Sequence, residues 1–145
     1  MAELKDLSIE EFAALAASDA PAPGGGSVSA VAGALAAALA EMVANLTVGK
    51  AKYADAEEEI AAKGAEIRRT LVDDIERDSE SFTLYMKALR MPKDTEEQKA
   101  VRREAMQNGL KEAARVPLSV ARTAAEIFPL AEAVIARGNT NAVTD

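Results

Sequence analysis

Two groups in this 145-residue chain have the type and setting for reaction chemistry: the carboxylate of Asp78 and the backbone of Gly24-Gly25-Gly26-Ser27. Asp78 falls on an apolar stripe. At helical pitch Ile60, Ile67, Leu71, Phe82 and Leu89 lie within roughly 40° of one another, with Asp78 among them and Gly64 on the same line. An unpaired carboxylate on a buried face costs several kcal/mol unless it is paired or takes up a proton. Three readings stay open: a structural cap or ion pair to a neighbouring helix, a solvated carboxylate on a partly exposed stripe, or an acid or base facing a pocket. Asp73, Asp74 and Glu76 nearby read as an ordinary solvated face.

The glycines sit in Pro21-Ala22-Pro23-Gly24-Gly25-Gly26-Ser27, directly ahead of an apolar stretch. Consecutive glycines suit a place where backbone must approach something closely. They end where a helix should begin, and first-turn N–H groups have no partner within their helix and carry partial positive charge. The junction is either an anion or carbonyl site, or a flexible turn with Ser27 as N-cap. Lys50, Lys52 and Tyr53 offer a cation and a hydroxyl for the same cavity; their plainer role is charge at a helix C-terminus. Asn45, on a largely apolar helix, needs a partner if it is buried. Arg102-Arg103 and Glu57-Glu58-Glu59 read as solvated helix surface.

There is no histidine and no cysteine. The commonest general base, thiolate metal sites, disulfides and thiol nucleophiles are therefore excluded. Proton transfer must run through Asp, Glu, Lys, Tyr or a substrate's own nitrogens. A net charge of −7 argues against broad nucleic-acid binding, which needs a dense basic face. Residues 1–11 are charged and lack an apolar core, so no signal peptide is expected and a cytoplasmic location follows. The stretch 28–48 approaches membrane-spanning length, but its alanines, Ser29, Glu41, Asn45 and Thr47 read as a buried helix of a soluble protein.

The elements that must position these groups are helices. Ser8 with Glu11 predicts a capping box and a helix from Ile9 to about Ala17. A second helix is expected from Ser27 to about Val48, with Gly33, Ala37 and Ala40 or Glu41 as small residues at helical spacing. Asp55 with Glu58 predicts a third, reaching Arg90 before Pro92. Asp94 and Thr95, with Glu97 and Gln98, cap a fourth, which Pro117 and Pro129 should kink or divide into pieces of roughly 10 to 20 residues. Gly138 reads as a C-cap and Asn139-Thr140-Asn141 as a turn. No β-alternation extends beyond a few residues. The fold class is all-α: one domain over 1–145, a bundle of long helices kinked at Pro117 and Pro129. Much of the 49% hydrophobic fraction is alanine, with three Phe, two Tyr and no Trp, so a second subunit is expected to complete the core.

The stretch 21–47, PAPGGGSVSAVAGALAAALAEMVANLT, resembles the signature of the cyclodeaminase/cyclohydrolase family. That family comprises the cyclodeaminase part of formiminotransferase-cyclodeaminase and stand-alone methenyltetrahydrofolate cyclohydrolases. Similarity continues through Gly49, Lys50 and Tyr53, Asp78 with Ser81-Phe82, residues 91–95 and Val116-Pro117-Leu118, and ends in residues 138–145. The resemblance implies a helical homodimer acting on a reduced folate, with no metal, no covalently bound cofactor, no nucleic acid and no membrane. It matches Gly24, Gly25, Gly26 and Ser27 to the family's glycine loop, Lys50 to its pocket lysine and Asp78 to its essential acid. Asn139, Asn141 and Asp145 match its late polar motif. It also implies that the family's domain carries further helix after that motif, a segment this chain is expected to lack.

The implied reactions are closure of 5-formiminotetrahydrofolate to 5,10-methenyltetrahydrofolate with loss of ammonia, or hydrolysis of the methenyl compound to 10-formyltetrahydrofolate. Asp78, helped by Lys50, would move the proton; the glycine loop, Ser27, Tyr53 and the late polar residues would hold the folate. The residues alone leave a rival open: a non-catalytic helical folate-binding or dimeric scaffold protein in which Asp78 is structural.

Overall fold

The computed structural model describes residues 3–50, 56–142 and 144. Among these residues it is built from helices alone. After a 3-10 turn at Leu4–Asp6 come α1 (Ile9–Ala16), α2 (Gly25–Asn45), α3 (Ala56–Leu89), α4 (Glu96–Ala125) and α5 (Ile127–Arg137), then a 3-10 turn at Thr140–Ala142.

Two helices begin where their capping residues dictate. Ser8 Oγ accepts the Glu11 N–H at 3.2 Å while the Glu11 carboxylate accepts the Ser8 N–H at 2.8 Å. Thr95 Oγ1 accepts the Gln98 N–H at 3.2 Å, and Gln98 Oε1 accepts the Asp94 and Thr95 N–H groups at 2.9 and 3.3 Å. Asp55, the expected cap of α3, lies outside the described residues. At the other end of α3, Arg102 donates Nε and Nη2 to the Leu89 carbonyl at 3.4 and 3.2 Å. It is half-buried there, a helix-terminal donor rather than the solvated residue expected. Glu58 and Glu59 are exposed, as read.

Of the two prolines expected to kink or divide the helix, Pro117 does not divide it: α4 runs through it for 30 residues. The break falls at Glu126, ahead of α5, and Pro129 sits in the first turn of α5 where its missing N–H would have no helical partner. α5 closes on Gly138, whose N–H donates to the Val134 carbonyl at 2.7 Å. Its φ of −83° is open to any residue. Glycine is needed there for space, since a Cβ would lie 3.3 Å from Val43 Cγ1 and closer still to the Val134 carbonyl. Gly49, with φ of +77°, does take the left-handed region and ends the turn that follows α2.

Contacts group the chain into two units, Met1–Ser29 with Asp73–Ser119, and Ala30–Val72 with Val120–Asp145. The second has an alanine face on α2: Ala30, Ala34, Ala37, Ala40 and Ala44 are buried, together with Val43, Ile60, Ile67, Leu71, Val120 and Val134. Small residues let the helices come close. A Cβ on Gly64 would meet the Glu41 Cα at 3.3 Å, and one on Gly33 would meet Leu71 Cδ1 at 3.1 Å. Glu41 is held by the Arg68 guanidinium at 2.7 Å. By length and composition α2 is the one described helix apolar enough to cross a membrane, and its alanine face is buried within the protein. Asn45, its last residue, is exposed and needs no buried partner.

In the first unit α3 and α4 meet backbone to backbone, where a Cβ on Gly109 would stand 2.8 Å from the Tyr85 Cα. Pro23, Ser27, Asp74, Ile75, Ser81, Ala88 and Val116 are among its buried residues. Glu76 is not on a solvated face: half-buried, it accepts the Leu4 N–H at 2.7 Å and ties down the first 3-10 turn.

Candidate functional site

The exception to the capping pattern builds the site. α2 begins at Gly25, two residues before Ser27, with the Gly24 carbonyl accepting the Val28 N–H at 3.1 Å. Gly25 and Gly26 therefore form the first turn of the helix, and Ser27 is its third residue rather than its N-cap. Asp78 supplies what the local sequence does not. Its Oδ2 accepts the Ser27 N–H at 2.9 Å, so a carboxylate from α3 satisfies a first-turn donor of α2 and meets the positive end of that helix.

Ser27 is fully buried and reinforces the arrangement. Its hydroxyl reaches the Ile75 carbonyl at 2.8 Å and Asp78 Oδ2 at 3.2 Å. It has one proton to give, and the shorter contact takes the larger share, leaving the backbone N–H as the principal donor to Asp78. Gly26 completes the seat. A Cβ there would lie within 2.6 Å of the carboxylate carbon and both its oxygens. Only glycine admits Asp78 in this position. The adjoining peptide Ala22–Pro23 is cis.

Pro21, Ala22, Gly24, Gly25, Gly26, Asp78, Ser79, Ser81, Phe82 and Ala113 line a cavity of about 240 Å³. Pockets for whole drug-sized ligands run from about 300 to 1,000 Å³, so this one suits a ring system rather than a long conjugate. Its chemistry is simple. The N–H groups of Gly25 and Gly26 have no acceptor within their helix, the half-buried Asp78 carboxylate stands beside them, and Phe82, 37% exposed, offers an aromatic face. Donors for a developing anion and a carboxylate able to accept or return a proton are thus gathered in one place.

The stripe read from the sequence divides accordingly. Ile60, Ile67 and Leu71 are core, Leu89 is half-buried, and Phe82 is a cavity wall. Of the predicted site residues, Gly24, Gly25, Gly26, Ser27 and Asp78 come together. Lys50, exposed after α2, belongs to the second unit, as do Asn139 and Asn141, where the half-buried Asn139 accepts the Asn141 N–H through Oδ1 at 3.1 Å. Lys52, Tyr53 and Asp145 lie outside the described residues. Phe82 was legible only as core and Ala113 not at all; the four-residue step from Asp78 to Phe82 was the available signal.

Asp74 corrects the sequence reading most sharply. It is 1% exposed rather than solvated, with Oδ1 paired to Arg77 Nη1 and Oδ2 without a partner. Burial pushes its carboxyl above the ordinary value, the neighbouring Asp73 and Asp78 adding repulsion and Arg77 pulling the other way. A carboxyl raised in the folded state contributes stability fully present below its unfolded value near 3.8 and lost as pH rises through the folded one. Asp74→Asn should therefore melt close to the parent at about pH 4 and increasingly above it towards neutrality. Thermal melts across that range check the sign; a gap that shrinks with rising pH contradicts it.

These features define a helical protein with a carboxylate-and-glycine pocket, and the chain belongs to the formiminotransferase-cyclodeaminase family, whose match covers residues 8–145. It is similar to a methenyltetrahydrofolate cyclohydrolase from Methylorubrum extorquens, 44% identical over 141 residues that span 95% of this chain and 68% of that protein. A mouse formimidoyltransferase-cyclodeaminase is 33% identical over 149 residues, covering 98% of this chain and 27% of the longer protein. Among solved structures, a formiminotetrahydrofolate cyclodeaminase from Thermotoga maritima superposes with a TM-score of 0.80 at 40% identity, over 97% of this chain and 67% of that one. The chain thus spans about two thirds of the shorter relatives and about a quarter of the two-activity mouse protein.

Proposed function

We propose that this chain is a tetrahydrofolate one-carbon enzyme, forming or opening the ring at the carbon between N5 and N10. The observation that carries this reading is the Asp78 carboxylate, seated on Gly26 and the Ser27 N–H at the wall of a ring-sized cavity. Cyclodeamination needs one proton moved: N10 attacks the carbon of the protonated formimino group and loses its proton, and the departing NH2 gains it to leave as ammonia, the positive charge remaining on the methenyl bridge. Cyclohydrolysis needs a similar shuttle. Water adds to the methenyl carbon and loses a proton, the bond to N5 breaks, N5 is protonated, and one proton is released to solvent. One carboxylate that accepts and then returns a proton serves both. The Gly25 and Gly26 N–H groups would steady a folate oxygen while it does so.

Lys50 enters this reading as the helper of Asp78, and Tyr53, Asn139, Asn141 and Asp145 as folate contacts, on the family resemblance alone. A cytoplasmic location belongs to the same proposal. The test follows methenyltetrahydrofolate absorbance twice, once for its loss by hydrolysis and once for its appearance from the 5-formimino compound. Turnover in either direction supports the reading; a protein that binds reduced folate without turnover in either points to the scaffold instead.

The enzyme is proposed to act as a homodimer. Leu35, Leu39, Met42 and Leu46 repeat along α2 at the alternating four- and three-residue spacing of a coiled-coil seam, yet Leu35 is 59% and Leu46 45% exposed. A second copy presenting the same stripe would cover it. Leu39→Glu should convert a dimer to a monomer at micromolar concentration, measured by light scattering on a sizing column; an unchanged mass excludes this face.

A further inference from the structure

We infer that the main-chain carbonyl of Ala113 is a hydrogen-bond acceptor for the bound ligand, made available by Pro117; this rests on the folate reading above. In an α-helix each carbonyl accepts the N–H four residues on. For Ala113 that partner is Pro117, which has no N–H, and whose ring also crowds the carbonyl it faces. Pro117 sits deep within α4, 21 residues from its start and eight from its end by the helix bounds of 96 and 125, so no helix terminus accounts for it. Ala113 is half-buried and is the one residue of α4 that lines the cavity holding Asp78 and the α2 glycines.

Proline is the poorest residue for a helix interior, chiefly because it removes this hydrogen bond and crowds the carbonyl left behind. The cavity gives the freed oxygen a use. Its other polar groups include the Gly25 and Gly26 N–H donors, the hydroxyls of Ser79 and Ser81, of which Ser81 donates to the Asp78 carbonyl at 2.7 Å, and a carboxylate already engaged by Ser27. A reduced pterin carries N–H donors around its ring as well as a carbonyl. A neutral main-chain acceptor lets the ring's donors be read without drawing on the carboxylate that must move a proton. Ala113 keeps that wall thin, because a methyl side chain leaves the backbone accessible.

The test uses Pro117→Ala, which restores an N–H at 117 and ties the Ala113 carbonyl into the helix. Its signature is two effects of opposite sign. The thermal midpoint should rise, since the helix regains a bond and loses its poorest helix former. Affinity for 5-formyltetrahydrofolate, used as a stable reduced-folate probe, should fall roughly five- to tenfold, the worth of one hydrogen bond. In steady-state turnover KM should rise by a similar factor with kcat within about twofold. Probes methylated at single pterin nitrogens identify the donor: for one of them the unsubstituted protein should lose the same factor and Pro117→Ala should lose nothing more. Pro117→Ala binding the probe as tightly as the unsubstituted protein overturns the inference, as do losses that multiply for every methylated probe. Failure of the unsubstituted protein to bind the probe overturns the folate reading, and this inference with it.

Discussion

Asp78→Asn should yield a folded protein whose turnover falls by about 10²- to 10⁴-fold, the usual worth of a positioned acid or base. The substitution is nearly isosteric. An asparagine Oδ1 can still accept the Ser27 N–H, so the helix keeps its cap and loses only the charge-assisted part of it, about 1 kcal/mol. What asparagine cannot do is take a proton from N10 or from water and give it back. The expected pattern is therefore a modest drop in thermal midpoint, unchanged secondary structure, and folate affinity within about tenfold of the parent beside near-complete loss of rate. Steady-state kinetics with a binding titration on the same sample separates these quantities. An Asn variant that retains a tenth or more of the parent rate would return Asp78 to a structural cap.

Gly26→Ala should reproduce much of that loss without touching the carboxylate's chemistry. The added methyl would stand within 2.6 Å of all three atoms of the Asp78 carboxyl group, so that flexible side-chain end must swing away. It then gives up the Ser27 N–H and its place on the cavity wall together. An alanine normally gains up to about 1 kcal/mol over glycine in a helix. Here the sign should reverse, to a cost of about 1–2 kcal/mol, because a buried donor loses its acceptor. Gly24 and Gly25 supply the comparison, since a Cβ at either meets nothing within 4 Å. Their alanine variants should melt at or slightly above the parent. Thermal denaturation of the three variants, with turnover at saturating folate for Gly26→Ala, tests the series. Equal midpoints across the three would show that Asp78 does not depend on the space at Gly26.

The helices themselves were legible because their signals are local. Ser8 with Glu11 and Thr95 with Gln98 need only three residues of context, and both boxes close as read. Asp78 was marked by its position on an apolar stripe, but which of its roles applied depended on Ser27, 51 residues away in sequence. The same distance explains the misplacement of Ser27. Its type suits an N-cap, and nothing nearby reveals that a remote carboxylate already serves the helix, freeing α2 to start on glycine. Asp74 was misread for a related reason: i,i+1 charge clusters resemble solvent-facing helix, and burial is a tertiary property that periodicity sampled only through Asp78. Pro117 exposes a third limit. Local rules say that proline ends a helix, whereas packing on both sides can carry the helix through it.

The alanine face of α2 bears on how this protein tolerates change. Ala30, Ala34, Ala37, Ala40 and Ala44 contribute one methyl each, so no single anchor dominates the adhesion between neighbouring rods. Trimming any of them removes little, about 1 kcal/mol for a helical glycine in its place. Enlarging the fully covered Ala30, Ala37 or Ala44 is the graver insult, because an extra branch has no slack to fill and must wedge whole rods apart. Natural drift along this seam should accordingly run among glycine, alanine and serine, with variety in size confined to the opposite, outward side of the same rod.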